Sequence, residues 1–334
     1  MKFSVVIGNP PYHIIQKGHY QPLYSKFIDL SQQLGFRFIF IVPARFLFRA
    51  GNTPKAWIQK MLNDPCLRVL YFEKNSTKVF SNAIDCKGGV CILAWDFFIK
   101  GRPINIYIPY EPLQSIVNKV VSSNKQSQQF LPSIMYLQNH FNLKKLDQYY
   151  EDLNRTDSRV GTDAFKYDIF TRKSTNSQDI KILGVINNKR CFRYVDQKYL
   201  NLNYSNINGY KVLVPKANGD LRSGKVLGTP VLVTPKVGYT STFLGIGCFQ
   251  SKVEAKNALS YIRTKFVRVL ISVLKVTQDN NRKVFQLVPL QDFTEQSDID
   301  WAKSISEIDQ QLYRKYGLNE SEVTFIESNV KPMN

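Results

Sequence analysis

The sequence predicts an α/β fold, with part of a doubly wound sheet in the first third of the chain and an α+β domain after it. Residues 2–7 are mostly β-branched or aromatic and end at Gly8, and residues 38–42 form a second apolar run that ends at Pro43. Such runs are typical of buried strands in a parallel sheet covered by helices. Residues 161–235 change to short alternating runs separated by Asn-Asn, Asn-Gly and Gly-Asp turns, which predicts the hairpins of a second domain.

The elements of the first half follow from apolar spacing. Helical spacing at residues 21–33, with Pro22 suited to the first turn, predicts a helix between the two strands and so a right-handed crossover. We assign Phe46 and Leu47 to the core. The other predicted elements are a loop at 51–55, a helix at 56–62, and strands at 67–72, 90–95 and 104–108.

Composition narrows the class of protein. The 334 residues are 43% hydrophobic and 13% aromatic, which excludes a disordered chain. A net charge of +19 indicates a polyanionic partner, although a merely basic surface is the alternative. Five cysteines and three histidines lack zinc-ligand spacing, so we predict reduced thiols, no metal and a cytoplasmic protein. The most apolar stretch, residues 36–48, is interrupted by charge and proline, so we predict no membrane span.

A short motif follows the first strand, where open α/β sheets usually bind ligands. It consists of Asn9, Pro10, Pro11 and Tyr12. The two prolines fix φ and lack N–H donors, so the Asn9 amide oxygen and the Pro10 carbonyl form a rigid pair of acceptors. Such a pair suits an exocyclic amino group whose lone pair attacks a methyl donor, and Tyr12 offers a stacking face worth roughly 1 to 3 kcal/mol to a base outside the duplex. The alternative is a turn stiffened by proline with no chemical role.

This motif resembles that of the gamma-order DNA adenine-N6 methyltransferases of restriction-modification systems. Residues 36–51, 79–95 and 240–291 also resemble segments of the larger type II and IIG members. The resemblance implies a Rossmann-like methyltransferase sheet, S-adenosylmethionine as donor and a flipped adenine of double-stranded DNA as substrate. It also implies that Trp95 stacks on the face of the adenine opposite Tyr12. Phe97 and Phe98 leave that register open by two residues, and a buried core tryptophan is the alternative.

One departure from the family concerns the donor site. In the family a glycine-rich donor loop and its acidic partner lie upstream of the motif, whereas here the motif begins at residue 9. We therefore expect only the C-terminal part of the sheet and an incomplete donor site. Either a second polypeptide supplies the donor half, or the chain is a truncated or inactive DNA-binding subunit. A sequence-recognition subunit that serves a nuclease is a third alternative. An exposed apolar edge at residues 2–7 is the feature expected of a chain that needs a partner.

The second half carries the predicted recognition surface. Strands are expected at residues 180–186, 191–195, 210–214 and 231–234, and a basic amphipathic helix at 254–278. Basic side chains in strands and helix suit phosphates and base edges, with solvated faces or core packing as the alternative for each residue. The predicted DNA-binding residues are Lys181, Lys189, Arg190, Arg193, Lys211, Lys216, Arg222, Lys225, Arg263, Lys265, Arg268 and Lys275.

The predicted chain organisation has four parts. They are a methyltransferase catalytic portion at residues 1–115, a helical linker at 116–160, a target-recognition domain at 161–295 and a C-terminal helical segment at 296–334. Within the last two parts we predict a strand at residues 286–289, a helix at 300–316 that closes at Gly317, and a further helical stretch at 320–326.

Three weaker patterns are set aside. Residues 243–247 have the Phe-x-Gly-x-Gly shape of a donor loop in a permuted enzyme, but the expected unbroken helix to residue 278 leaves no room for the strand that should follow. Glu254 and Lys256 have a nuclease-like spacing without a suitable partner aspartate. His13 lies beside the motif, yet the chemistry needs acceptors and no strong base.

Overall fold

A computed structural model describes residues 2–16, 19–80, 86, 88–123, 129–146, 157–203, 205–217, 226–275 and 279–333. The chain divides into two compact units, Met1–Tyr110 and Glu111–Asn334, and each is described by itself. The finer division into four parts stays a prediction.

The first unit is built on a mixed sheet. In chain order its strands and helices are β1 (Val6–Gly8), β2 (His13–Gln16), β3 (His19–Pro22), α1 (Tyr24–Leu34), β4 (Arg37–Pro43), α2 (Lys55–Leu62), β5 (Leu67–Glu73) and β6 (Val90–Asp96). The main sheet has the order β1-β4-β6-β5. β1 and β4 are parallel, with α1 between them in the chain, as the strand, helix, strand pattern predicted. β6 runs antiparallel to both β4 and β5.

The core of the first unit lies on one face of this sheet. Phe38, Phe40 and Val42 alternate along β4 as buried side chains, because successive strand residues point to opposite faces. They pack in one cluster with Ile28 of α1 and Ile58 of α2. Phe46 and Leu47 belong to the same cluster, so their predicted core role is confirmed.

Three expectations for the first unit are wrong. α1 begins at Tyr24, because the residues before it pair in the hairpin β2–β3, which ends at Pro22. Residues 104–108 form no strand. The strand predicted at 2–7 is not buried, since Ile7 is 71% exposed and Phe3 is 61% exposed.

The second unit combines three small sheets with helices. Its elements are α3 (Glu111–Ser123), β7 (Met135–Tyr136), β8 (His140–Phe141), α4 (Leu143–Leu146), β9 (Asp179–Ile186), β10 (Lys189–Asp196), β11 (Leu200–Asn201), β12 (Tyr210–Pro215), β13 (Val231–Val233), β14 (Val237–Tyr239), β15 (Phe243–Phe249), α5 (Lys252–Arg263), α6 (Lys265–Leu274), α7 (Ile305–Lys315) and α8 (Glu320–Asn329). The sheet orders are β10-β9-β14, β13-β12-β15-β7 and β11-β8. The Asn-Asn turn between β9 and β10 has positive φ at Asn187 and Asn188, which is typical of a tight hairpin.

The long helix expected at residues 254–278 is interrupted. Thr264 has an extended ψ of 151°, ends α5 and caps α6, and its hydroxyl accepts a hydrogen bond from the Val267 N–H at 3.2 Å. The residues 276–278 lie outside the described part of the chain. Thr264 at this position satisfies a free donor of the second helix, which favours two helices over one.

Other expectations for the second unit have mixed outcomes. The linker at 116–160 is not a continuous helical bridge in its described residues, because β7 and β8 lie within it and pair with β15 and β11. The expected strand at 286–289 is not formed apart from an isolated bridge at Pro289. Gly317, with φ of +62°, follows α7 as predicted for a helix end that needs a left-handed residue.

Candidate functional site

The Asn-Pro-Pro-Tyr turn lies at the carboxyl end of β1. Gly8, the last residue of β1, is in register with Phe40 of the parallel strand β4, and β4 continues three residues further to Pro43. Asn9 therefore leaves the sheet at the end toward which β4 also runs. Asn9 and Pro11 are exposed and Pro10 is buried. The Leu23 N–H donates to the Tyr12 carbonyl at 3.0 Å and ties the turn to the start of α1. The structure therefore presents the Asn9 amide at the sheet edge that was predicted to bind a ligand.

Tyr12 faces a second aromatic ring in this turn. Its ring centroid is 6.4 Å from that of Phe80, and the two planes are inclined by 59°. Two rings that sandwich a base stand roughly 7 Å apart, twice the stacking distance of about 3.4 Å. The Tyr12–Phe80 pair is thus close to that spacing, although the rings are tilted. Phe80 lies in residues 79–95, one of the segments that resemble the family, but nothing in the sequence around it predicted a stacking role.

The Tyr12 hydroxyl is buried and has no hydrogen-bond partner among the described residues. Burial raises the pKa of Tyr12 to about 12, with smaller contributions from the nearby thiols of Cys86 and Cys91. A neutral phenol with a free donor in this position is able to bond to a ligand group that enters the site.

Trp95 does not take part in this arrangement. Because β6 is antiparallel to β4, Trp95 pairs with Phe38, which in turn pairs with Val6 near the start of β1. Trp95 is therefore at the opposite end of the sheet from Asn9. Its side chain is 8% exposed, is stacked on Phe38 at 6.0 Å and donates its indole N–H to Asp64 at 2.8 Å. The predicted base-stacking role of Trp95 is corrected to a core role.

The outer edge of β1 is apolar and open. Among the described residues β4 is the partner of β1, and no strand pairs with its other side. Phe3 and Val5, which precede β1, and Ile7 within it are all exposed, as are Phe27 and other apolar residues of α1. This is the feature expected of a chain that needs a partner, because unpaired strand edges and bare apolar faces favour association.

Some of the predicted DNA-binding side chains lie at the surface of the β9–β10 hairpin. They are Lys181, Lys189, Arg190 and Arg193, and all are exposed or half-buried. Aromatic rings hold several of them: the Lys181 ammonium is 4.3 Å from the centroid of Phe192, and the Arg193 guanidinium is 5.8 Å from that of Phe165. Interleaved cations and rings of this kind suit a nucleic-acid surface.

Other predicted DNA-binding residues are used inside the second unit. Lys211 is fully buried and Arg268 is 2% exposed, so neither can reach a duplex, and both predictions are corrected. Lys275 donates to Asn280 at 2.7 Å, and Lys216 to Gln138 at 3.4 Å. Burial lowers the pKa of Lys211 and of Lys275 to about 8.

Two further basic residues of that prediction, Lys265 and Arg263, are also partly used inside the second unit. Lys265 forms an ion pair with Glu327, and Arg263 is half-buried with a buried Nε that lacks a partner among the described residues. Arg222 and Lys225 lie outside the described residues. The basic helix face expected from α5 and α6 is therefore largely an internal surface, because these side chains pack inside the unit and do not face solvent.

The described residues do not fit a donor-binding loop. Residues 243–247 lie in β15, which pairs antiparallel with β12 and β7, and so are not a loop between a strand and a helix. The Glu254 carboxylate accepts a hydrogen bond from the Ser251 hydroxyl at 2.9 Å, and the Glu254 N–H donates to that hydroxyl at 3.1 Å, so the two residues cap the start of α5. No cluster of metal-ligating side chains occurs in the part of the chain that the structure describes. No described helix has the length and apolar character needed to cross a bilayer.

Comparison with known proteins gives a partial family match. Residues 1–80 match the model of the Eco57I restriction-modification methylase family. No curated protein matches the chain. Among solved structures, the chain is similar to the type IIG restriction endonuclease BpuSI, at 11% identity and a TM-score of 0.34. That alignment covers 98% of this chain and 54% of BpuSI, so the chain spans about half the length of that enzyme. The family match covers the Asn-Pro-Pro-Tyr turn and Phe80, but not the second unit.

Proposed function

We propose that this chain carries the adenine-binding and catalytic part of a DNA adenine-N6 methyltransferase of a restriction-modification system. The observation that carries the proposal is the exposed Asn9 at the carboxyl end of β1, inside the segment that matches a methylase family. The Asn9 amide oxygen and the Pro10 carbonyl accept the two N–H bonds of the adenine amino group. This withdraws the nitrogen lone pair from the ring, so that it is available as a nucleophile without a strong base.

The flipped base stacks between Tyr12 and Phe80 in this proposal. The 6.4 Å separation of the ring centroids is slightly less than a base requires, so the rings rotate and part when the base enters. Stacking on each ring stabilises an extruded base by roughly 1 to 3 kcal/mol, which offsets part of the cost of unstacking it. Double-stranded DNA is held in addition by the basic hairpin β9–β10.

The resemblance implies S-adenosylmethionine as the methyl donor, but the described residues do not form its site. We place that site in polypeptide that docks on the open edge of β1. A strand added there would satisfy the unpaired backbone groups and cover Phe3 and Ile7. Both a separate chain and a further part of a longer chain satisfy this requirement.

A second candidate function is a DNA-binding recognition module that does not methylate. The cation-aromatic surface on β9 and β10 favours it, as does the lack of a fitting donor loop among the residues that the structure describes. The two candidates differ in whether Asn9 matters, because only the methyltransferase uses its amide.

Transfer of label from S-adenosylmethionine to mixed-sequence DNA tests the proposal. The chain is assayed alone and with the product of the neighbouring gene, together with Asn9→Ala and the surface control Asn203→Ala. We expect label with the wild type and Asn203→Ala, and at least a hundredfold loss with Asn9→Ala, as for removal of one oriented polar group from an active site. DNA binding without label under every condition would refute the methyltransferase and leave the recognition module.

A further inference from the structure

Arg45 is an exposed cation that the predicted chemistry does not use. It lies two residues after the end of β4, while Asn9 directly follows the neighbouring parallel strand β1, so both residues lie beyond the same end of the two strands. Neighbouring strands lie about 4.8 Å apart, and β4 continues three residues past the Gly8–Phe40 pair before it ends at Pro43. Arg45 therefore lies beyond the same end of the sheet as the Asn-Pro-Pro-Tyr turn, and this end is called the rim of the site.

Two glycines shape the path of the Arg45 side chain. A Cβ placed on Gly88 would stand 2.6 Å from Arg45 Cγ, and one on Gly51 would stand 3.4 Å from Arg45 Nε. Both glycines have positive φ, of 94° and 87°. The aliphatic stem thus lies against Gly88 and the guanidinium against Gly51, in a groove that a larger residue at Gly88 would close.

This groove is continuous with the surroundings of Tyr12. The Gly89 carbonyl accepts from the Ala44 N–H at 2.9 Å, and the Gly89 N–H donates to the Cys86 carbonyl at 2.8 Å. Cys86 is close enough to Tyr12 to raise the pKa of its phenol. Cys86, Gly88 and Gly89 therefore link the surroundings of Arg45 to those of Tyr12.

Arg45 forms no ion pair with any described residue. Among the described residues no carboxylate lies within ion-pair distance of it, whereas Arg37, at the start of β4, pairs with Asp96 at 2.7 Å. An exposed guanidinium with a positioned stem has the geometry to bind a phosphate through two parallel N–H bonds. A nucleotide whose base enters the site carries one backbone phosphate on the 5′ side of its sugar and one on the 3′ side, and both would lie near the rim.

We propose that Arg45 binds a backbone phosphate next to the nucleotide whose base occupies the Tyr12 site. This inference rests on the proposed function, because it requires a base in that site. The contact between the Arg45 guanidinium and the phosphate would position the nucleotide. It would not depend on which base sequence the second unit recognises.

Binding of a single-stranded oligodeoxyadenylate to the full chain tests the inference, since no duplex must open. We expect Arg45→Gln to weaken binding about tenfold and to reduce the slope of log K against log salt by about 0.7, the value for one phosphate contact on a single strand. Glutamine keeps the stem against Gly88. Arg45→Lys should restore the slope, and the matched control Arg37→Gln, at the other end of β4, should leave it unchanged.

Tyr12→Leu separates failure of the inference from failure of the proposed function. If Tyr12→Leu weakens binding and Arg45→Gln leaves the slope unchanged, the phosphate contact is refuted while the base site stands. If neither variant alters binding, no base occupies the site and both proposals fail. Equal effects of Arg45→Gln and Arg37→Gln would show a general effect of net charge and would overturn the phosphate contact.

Discussion

Replacement of Lys211 by methionine should stabilise the protein at neutral pH. Lys211 lies on β12 with 0% exposure, and its ammonium donates to the Val237 carbonyl at 2.9 Å and approaches the Thr234 carbonyl at 3.5 Å. Those two acceptors do not compensate for the loss of water, so burial lowers the pKa of Lys211 to about 8. Methionine has a similar length and no charge to bury.

The expected magnitude follows from the pKa. A fall from the usual lysine value to about 8 corresponds to roughly 3 kcal/mol by which the charged form disfavours the folded state. Loss of the hydrogen bond to Val237 costs about 1 to 2 kcal/mol, because that carbonyl stays buried without its donor. The net expectation is a gain of about 1 to 2 kcal/mol in the free energy of unfolding at pH 7.

The pH dependence of the free energy of unfolding gives an independent check on the sign of this effect. Since the folded-state pKa lies below that of the unfolded chain, the unfolded state binds more protons between about pH 8 and the usual lysine pKa. The stability of the wild type therefore rises with pH through this window as Lys211 loses its proton in the folded state. Lys211→Met lacks this contribution, so its advantage over the wild type should shrink as the pH rises.

Urea denaturation at several pH values from 7 to 10 measures both effects. Lys275 also titrates in this range, but it is present in both proteins and cancels in their difference. The exposed Lys189→Met serves as control, with a change within about 0.5 kcal/mol expected. A destabilised Lys211→Met with no pH dependence, or a loss of DNA binding equal to that of Lys189→Met, would refute the assignment of Lys211 to the interior.

Two further substitutions test the site and the core. Phe80→Leu should weaken oligodeoxyadenylate binding by about 1 to 3 kcal/mol, because one stacking ring is lost. Trp95→Phe should lower the thermal stability and leave that affinity unchanged, because Trp95 lies in the core. The reverse pattern would show that Trp95, and not Phe80, contacts the base. The Asp309 carboxylate accepts hydrogen bonds from the backbone N–H groups of Lys265 and Phe266, at 3.0 and 2.9 Å, beside the buried Arg268. Asp309→Ala should therefore lower the free energy of unfolding, measured in urea, by about 3 to 5 kcal/mol. A loss below about 1 kcal/mol would show that the buried carboxylate is not needed to cap α6.

Local patterns predicted strands better than they predicted the site. β4, β9, β10 and β12 were expected within one or two residues of their observed ends, because runs of β-branched and aromatic residues bounded by turns depend little on the rest of the chain. The stacking partner of Tyr12 depends instead on strand direction. The sequence of β6 reads equally well in a parallel or an antiparallel strand, and only the antiparallel pairing moves Trp95 away from Asn9 and leaves Phe80 near Tyr12.

The basic residues show a second limit of the same kind. Spacing in residues 254–278 gave one basic stripe, but it did not reveal that Thr264 ends one helix and starts the next. Once the helix is interrupted there, the direction of Arg268 changes relative to α5, and its guanidinium bonds to the Thr264 and Lys331 carbonyls inside the unit. Burial of a cation is set by tertiary packing, which a periodic pattern on a single helix does not contain.

The error at β1 is informative in itself. Its sequence is that of a strand buried on both faces, and every neighbouring element agrees with this, since β4 pairs in parallel with it and α1 connects the two. Yet Ile7 is 71% exposed. Exposed apolar edges of this kind are costly for an isolated unit, because they promote association with other strands. The disagreement between pattern and exposure therefore marks an open apolar edge next to the turn that holds Asn9, and it is on this edge that the proposed function has the donor-binding polypeptide dock.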